Sequence, residues 1–219
     1  MAIDNVGEAY APKAPDAAPR AGSVGMVLLV ALVLIGAAVG LLFVGRGHAE
    51  RLLPVVRDLL CGRTPRAIAV DCGPGSFTGV RVGLAAAQGL RIAWGVPVHG
   101  YSSLALVAAG QRDGGPTAVA LTGGHGEVFV EMFDGPPLRS TGPLRSLAPA
   151  QAAAAIGHAR VVGSGAAAVI AARGWGEAID ALPKATDFIR LSPPLANLAL
   201  RPIYGRAPDA KPSVAAALA

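Results

Sequence analysis

Gly73-Pro-Gly-Ser-Phe-Thr-Gly-Val-Arg81 lies between an apolar run and an amphipathic run, and its reading decides the fold class. Before it, Arg66-Ala-Ile-Ala-Val-Asp71 has the short β-branched pattern of a buried strand. After it, Gly79 to Trp94 carries apolar and small residues at helical spacing. The stretch is therefore a strand-to-helix turn. Gly73 and Gly75 admit backbone angles closed to other residues, Pro74 stiffens the turn between them, and Ser76 or Thr78 is placed to cap the helix that follows.

Working outward, the helix from Gly79 to Trp94 sets Gly79, Gly83, Ala86 and Ala87 along one stripe. Side chains that small let a second helix approach closely, while Val82, Leu90 and Ile92 supply apolar contact elsewhere. Upstream, Ala49 to Leu60 is amphipathic, with Ala49, Leu52, Val56 and Leu59 at steps of three and four, and Pro54 either bends that helix or marks its start. Downstream, Val96 to Gly100 reads as a strand, and Ser102 or Ser103 caps a helix from Leu104. Helix, strand, helix, strand, helix in that order predicts an α/β layer with parallel pairing. Two further strands, Thr117–Thr122 and Glu127–Phe133, flank a Gly123-Gly-His-Gly126 hairpin turn and open a second, smaller lobe, so that 45–115 and 116–219 form two units. A helix over Ala150–Ala159 entered at Pro149, a strand and glycine turn over Arg160–Gly165, and a helix over Ala166–Arg173 complete it. The segment from Leu191 to Lys211 reads as an extended tail docked on the surface.

The N-terminal part reads differently. Residues 1–23 are rich in Ala and Pro and predict a flexible tail. Val24 to Val44 then runs 21 residues without a charge. At ~1.5 Å per residue a helix of that length spans the ~30 Å core of a bilayer. Arg46, Arg51, Arg57 and Arg63 follow it closely, which would insert the chain through 24–44 with residues 45–219 on the cytoplasmic side. The alternative is a pair of strands, Val27–Ile35 and Val39–Val44, turning at Gly36.

Composition sets outer bounds. With 219 residues and 53% apolar content the chain can bury a sizeable core. A net charge of +5 suits an acidic partner, although Lys and Arg are scattered along the sequence. Cys61 and Cys72 are too few for a disulfide framework or a four-cysteine zinc site. His48, His99, His125 and His158 stand singly, without the spacing of a metal site, and His48 reads as a polar residue of a first helical turn.

A glycine turn opening a helix also invites a phosphate-cradle reading, since backbone N–H groups there attract anions. The stricter patterns are missing: there is no GxxxxGK[ST], and no GxGxxG follows the strand. A nucleophile elbow fails because Pro74 stands where Gly is required before Ser76. No catalytic residue is assigned, and a structural turn is the reading carried forward.

The stretch from Gly73 to Gly83, continuing through Leu84-Ala-Ala-Ala-Gln-Gly-Leu90 and Tyr101-Ser-Ser-Leu104, resembles the signature of the TsaB (YeaZ) family. Gly47 to Pro54, Gly126 to Phe129 and Tyr204 to Lys211 match in the expected order, so the resemblance covers about residues 45–211. It implies a two-lobed fold of the actin and sugar-kinase type (ASKHA, ribonuclease H-like). It also implies a role in placing threonylcarbamoyl on the adenosine beside the anticodon of tRNA. In that family the subunit is a scaffold without a cofactor of its own. It pairs with the catalytic subunit TsaD and works with the ATPase TsaE, ATP and magnesium being used by those partners, while TsaC makes the donor. A homodimer is the other pairing the resemblance admits, and tRNA is met through the complex. The family's pairing surface uses its first two helices. Here that assigns Leu52, Val56, Leu59, Gly79, Gly83, Ala86, Ala87 and Leu90 to partner binding, and Gly73, Pro74, Gly75, Ser76 and Thr78 to the turn. The family opens with an Ile-Asp-Thr strand and a hairpin that should precede Gly45. Either Val24–Val44 is a rewritten hairpin, or a membrane segment replaces the first strands. The rival readings are an ATP-binding transferase of the same fold using Gly73–Gly79, and a membrane-anchored relic.

Overall fold

The computed structural model of the protein describes residues 48–111 and 115–205. The expectations for 1–23 and for the membrane helix or hairpin at 24–44 fall outside the described residues, as does the end of the tail at 206–211. Among the described residues, no helix is long and apolar enough to cross a membrane.

The first helix, α1 (His48–Leu60), continues through Pro54, so that proline does not mark its start. Leu52, Val56 and Leu60, one turn apart, are buried on its inner face. They pack against Ile68 and Val70 of strand β1 (Ile68–Asp71) and against Leu84 and Ala87 of helix α2 (Phe77–Trp94). Strand β1 pairs in parallel with β2 (Val98–Tyr101), Ile68 opposite Val98 and Asp71 opposite Tyr101, as the alternation of elements requires. Helix α2 starts two residues earlier than its hydrophobic spacing alone suggests, because Ser76 is its N-cap. It stops at Gly95, a left-handed residue whose N–H donates to Arg91 O at 2.9 Å. Ser102 caps α3 (Ser103–Ala109) by accepting from the N–H groups of Leu104 and Ala105, and every residue of that helix is buried.

The second sheet is built on β3 (Thr117–Thr122) and β4 (Val128–Asp134), an antiparallel hairpin. Short strands β5 (Arg139–Ser140) and β6 (Arg145–Leu147) both pair with β4. On the other side, β7 (Arg160–Val162) and β8 (Glu177–Ile179) add in parallel, giving the order β5-β4-β3-β7-β8. Helices α4 (Pro149–Ala155) and α5 (Ala166–Arg173) contribute Ala152, Ala166 and Val169 to a core with Ala118, Val130 and Val161. A second core joins the two sheets: Ala69 and Tyr101 of the first, all of Leu104–Ala109, and Val119, Leu121, Phe133 and Val162 of the second. Burying a leucine such as Leu104 or Leu106 there contributes about 1.5–3 kcal/mol.

Two sequence expectations need correction. The helix expected over Ala150–Ala159 ends at Ala155, and Ile156 is extended. Alanine propensity is overridden there by Arg173, whose guanidinium donates to the carbonyls of Ile156, His158 and Ala159 at 2.9, 2.7 and 3.2 Å and holds that backbone out of the helical ladder. The tail from Leu191 is not extended throughout. It leaves a 3₁₀ helix (Ala185–Arg190) at Leu191 and then forms a single helical turn, α6 (Pro193–Ala196). From Leu198 to Gly205 it is docked as expected: Leu198 N–H donates to Gly100 O at 2.9 Å, Ile203 N–H to Cys72 O at 2.7 Å, and Ser146 N–H to Gly205 O at 3.1 Å. This strap ties β2, the glycine turn and β6 to one another.

Candidate functional site

At the C-terminal ends of β1 and β2, where ligands of parallel sheets commonly bind, the chain places Asp71, Cys72, the glycine turn, Tyr101 and the Ser102 cap. Gly73 has φ of +101°, open to glycine alone among ordinary residues, and a Cβ there would lie 3.1 Å from Ile203 O in the strap. The Gly73–Pro74 peptide is cis. Ser76 Oγ accepts the Gly79 N–H at 3.4 Å, while Gly75 and Thr78 lie on the exposed side of the turn and Pro74 is buried.

At its start the turn is bonded internally. Gly73 N–H donates to Asp71 Oδ1 at 2.8 Å, and Ser103 Oγ donates to Asp71 Oδ2. Burial pushes the Asp71 carboxyl up to about 6, against the hydrogen bonds from Ser103 and Gly73 that favour its ionised form. Next to it the Cys72 thiol is enclosed, with Sγ 3.6 Å from Ala199 O, and is pushed up to about 11 by burial first and the Asp71 charge second. Tyr101 is fully buried, edge-on to Phe188, and its hydroxyl is held well above the usual tyrosine range by burial. A carboxylate that occupies a turn amide occupies the place a phosphate oxygen would take. The Gly73 amide is thus not free to join a phosphate cradle.

The surface assigned to partner binding divides in two. Leu52, Val56 and Ala87 turn into the chain's own core, and Leu59, Ala86 and Leu90 are half-buried against the same cluster, so these residues support the helices from within. The spacing of the small-residue stripe misled for Ala87, because α2 uses that side against β1. Gly79 is half-buried at the first turn. Gly83 is the member of the stripe that is open, since a Cβ there meets nothing within 4 Å, and the same holds for Gly89. Ile92 of α2, expected to supply apolar contact, faces outward and is 85% exposed, and Leu53 and Val55 of α1, not singled out from the sequence, are exposed too. Their signal was present as the residues left over once the buried face of each helix is assigned.

A third cluster joins residues far apart in sequence. Phe77, at the start of α2, stacks with Tyr204 of the strap at 5.8 Å between ring centroids. Arg81, one turn on, lies with its guanidinium carbon 3.5 Å over the Phe77 ring and donates from Nε to the Tyr204 hydroxyl at 3.0 Å. The sequence reading put Phe77 in the turn, Arg81 in the helix and Tyr204 in the docked tail, and it is the fold that brings the three together. Among the described residues, no group of three His, Cys, Asp or Glu is arranged to hold a metal ion.

Residues 43–160 match a protein family described as "TsaD: tRNA N6-adenosine threonylcarbamoyltransferase". An uncharacterized protein of Mycobacterium tuberculosis is 35% identical over 212 residues, covering 90% of this chain and 92% of that protein. The tRNA threonylcarbamoyladenosine biosynthesis protein TsaB of Escherichia coli is 41% identical over 92 residues, which are 38% of this chain and 40% of its own. Among solved structures, a Pseudomonas aeruginosa protein with similarity to peptidase YeaZ superposes with a TM-score of 0.59 at 31% identity, over 74% of this chain and 85% of that one.

Proposed function

The chain belongs to the TsaB (YeaZ) family, and from that premise we propose that it serves tRNA threonylcarbamoyladenosine biosynthesis as a non-catalytic subunit that pairs with a TsaD-like catalytic partner. The observation that carries the pairing is the outer surface of α1 and α2. There Leu53 and Val55 of α1 and Ile92 of α2 are exposed, and the unfilled position Gly89 lies one turn from Ile92 on the same side of α2, so a partner helix can come close there and still find an apolar side chain to cover; Gly83 leaves a second opening on another side of the helix. The glycine turn sets the direction of α2 and hence of that surface. Its internally satisfied carboxylate and cap suit a structural part better than a nucleotide site. A TsaE-like ATPase, with its ATP and magnesium, would act on the assembled pair, and a homodimer through the same helices is the competing assembly.

Gly83→Leu tests the assignment. Within the chain the new side chain meets open space, and leucine favours helix over glycine by roughly 0.5–1 kcal/mol, so the isolated subunit should fold at least as well. Co-purification with TsaD should nevertheless be lost, because the larger side chain holds the partner helix off. Equal recovery of TsaD by wild type and variant would place the pairing surface elsewhere.

A further inference from the structure

We propose that Phe77, Arg81 and Tyr204 form a stacking platform for an unpaired base of an RNA strand, an inference that rests on the tRNA-linked reading above and names a surface through which this chain itself meets RNA. Phe77 is 55% and Tyr204 49% exposed, a large aromatic area left in water by a chain with few aromatic residues. The two rings and the guanidinium hold one another: ring on ring, cation on ring, and Nε on the hydroxyl. Such mutual support fixes side chains that an incoming base would otherwise have to order.

The stretches of sequence that supply the cluster are poor in acidic residues. From Cys72 to Gln111 the chain carries Arg81 and Arg91 and no Asp or Glu. Between Asp187 and Asp209 it carries Arg190, Arg201 and Arg206, again with no acidic residue. Asp71, the carboxylate nearest to the turn in sequence, faces inward to Gly73 and Ser103. Exposed aromatic rings with an arginine guanidinium held against them match the combination by which single-stranded RNA is bound, bases on the rings and phosphate on the cation. A protein partner is met better by the exposed aliphatic residues of α1 and α2.

Fluorescence anisotropy of the full chain with a labelled single-stranded RNA decamer, at low salt and then along a salt series, tests the platform. Phe77→Ala/Tyr204→Ala should weaken binding about tenfold or more. Tyr204→Phe, which keeps the ring, should stay near wild type, and Arg81→Gln should also flatten the salt dependence, as loss of a phosphate contact requires. Should the double variant fail to fold by circular dichroism, Phe77→Leu carries the test, since it retains apolar cover and removes only the ring. Affinity unchanged in the ring variants, or no binding by wild type, overturns the platform. Loss of TsaD co-purification with RNA affinity intact assigns the cluster to a protein contact and overturns it too. Wild-type RNA binding without any TsaD pairing would instead sink the scaffold reading and leave the platform standing.

Discussion

Asp71→Asn should stabilise the protein at neutral pH, a direction opposite to that expected for most carboxylates. The Asp71 carboxyl ordinarily titrates near 3.8 and is raised to about 6 by burial. Below pH 3.8 it is neutral in both folded and unfolded chains, and its contribution is fully present. Between 3.8 and about 6 the unfolded chain gives up the proton while the folded chain keeps it, so stability falls as pH rises. Above about 6 the folded state holds an enclosed charge. At about 1.4 kcal/mol per pH unit the accumulated loss is about 3 kcal/mol, an upper figure because the residue keeps partial contact with water. Asparagine keeps an oxygen for the Gly73 N–H and offers an amide to Ser103 Oγ, whose hydroxyl can rotate to accept. Urea denaturation of both proteins from pH 4 to 8 reads the difference directly, and subtracting the wild-type curve cancels the other titrating groups. The variant's advantage should grow through pH 4–6, level off above about 7, and amount to at most about 3 kcal/mol, or about 6–12 °C in Tm. A difference that does not vary with pH, or an Asp71→Asn variant weaker than wild type at pH 7.5, would show that the ionised carboxylate is a stabilising element of the turn and refute the reasoning.

Three other outcomes follow from the same region and its neighbours. With an aromatic disulfide reagent at pH 8, the exposed Cys61 should react in the native protein and the buried Cys72, pushed up to about 11, should not; urea should release the second thiol. Gly100→Ala would put a Cβ 2.7 Å from Leu198 O and 2.8 Å from Cys72 Sγ, lifting the strap from β2. A loss of about 1–3 kcal/mol is expected, read as a Tm lower by about 2–12 °C, and an unchanged Tm would mean that the strap contributes little. Gly83→Leu separates stability from pairing, since only the second should suffer.

The turn and the elements on either side of it were legible because they rest on local rules. Ser76 caps, Gly95 stops the helix, and the β-branched run Ile68–Val70 is buried between layers. Ala166–Arg173 was located to the residue, since a glycine lies at each end. What escaped was either short or long-range. Strands of two or three residues such as β5, β6 and β8 are below the length at which alternation can be seen, and their pairing partners decide them. The end of α4 was set by Arg173, a residue whose influence on Ile156 no pattern reveals. At the candidate site, periodicity correctly found the apolar side of α1 and the small side of α2, but it could not tell an inward face from an outward one. Leu52 and Val56 proved to be core, and Leu53 and Ile92 surface.

The strap has a further consequence in the order of folding. Helix α2, its serine cap and its glycine stop depend on contacts a few residues apart, which form quickly. The bond from Ile203 N–H to Cys72 O, and that from Leu198 N–H to Gly100 O, close loops on the order of a hundred residues, contacts that carry a larger closure entropy and come slowly. The launching helix is thus made early and its angle is locked late. A nascent or partly unfolded subunit would carry α2 before α2 is aimed, so competence to engage a partner should lag behind the recovery of helical signal on refolding.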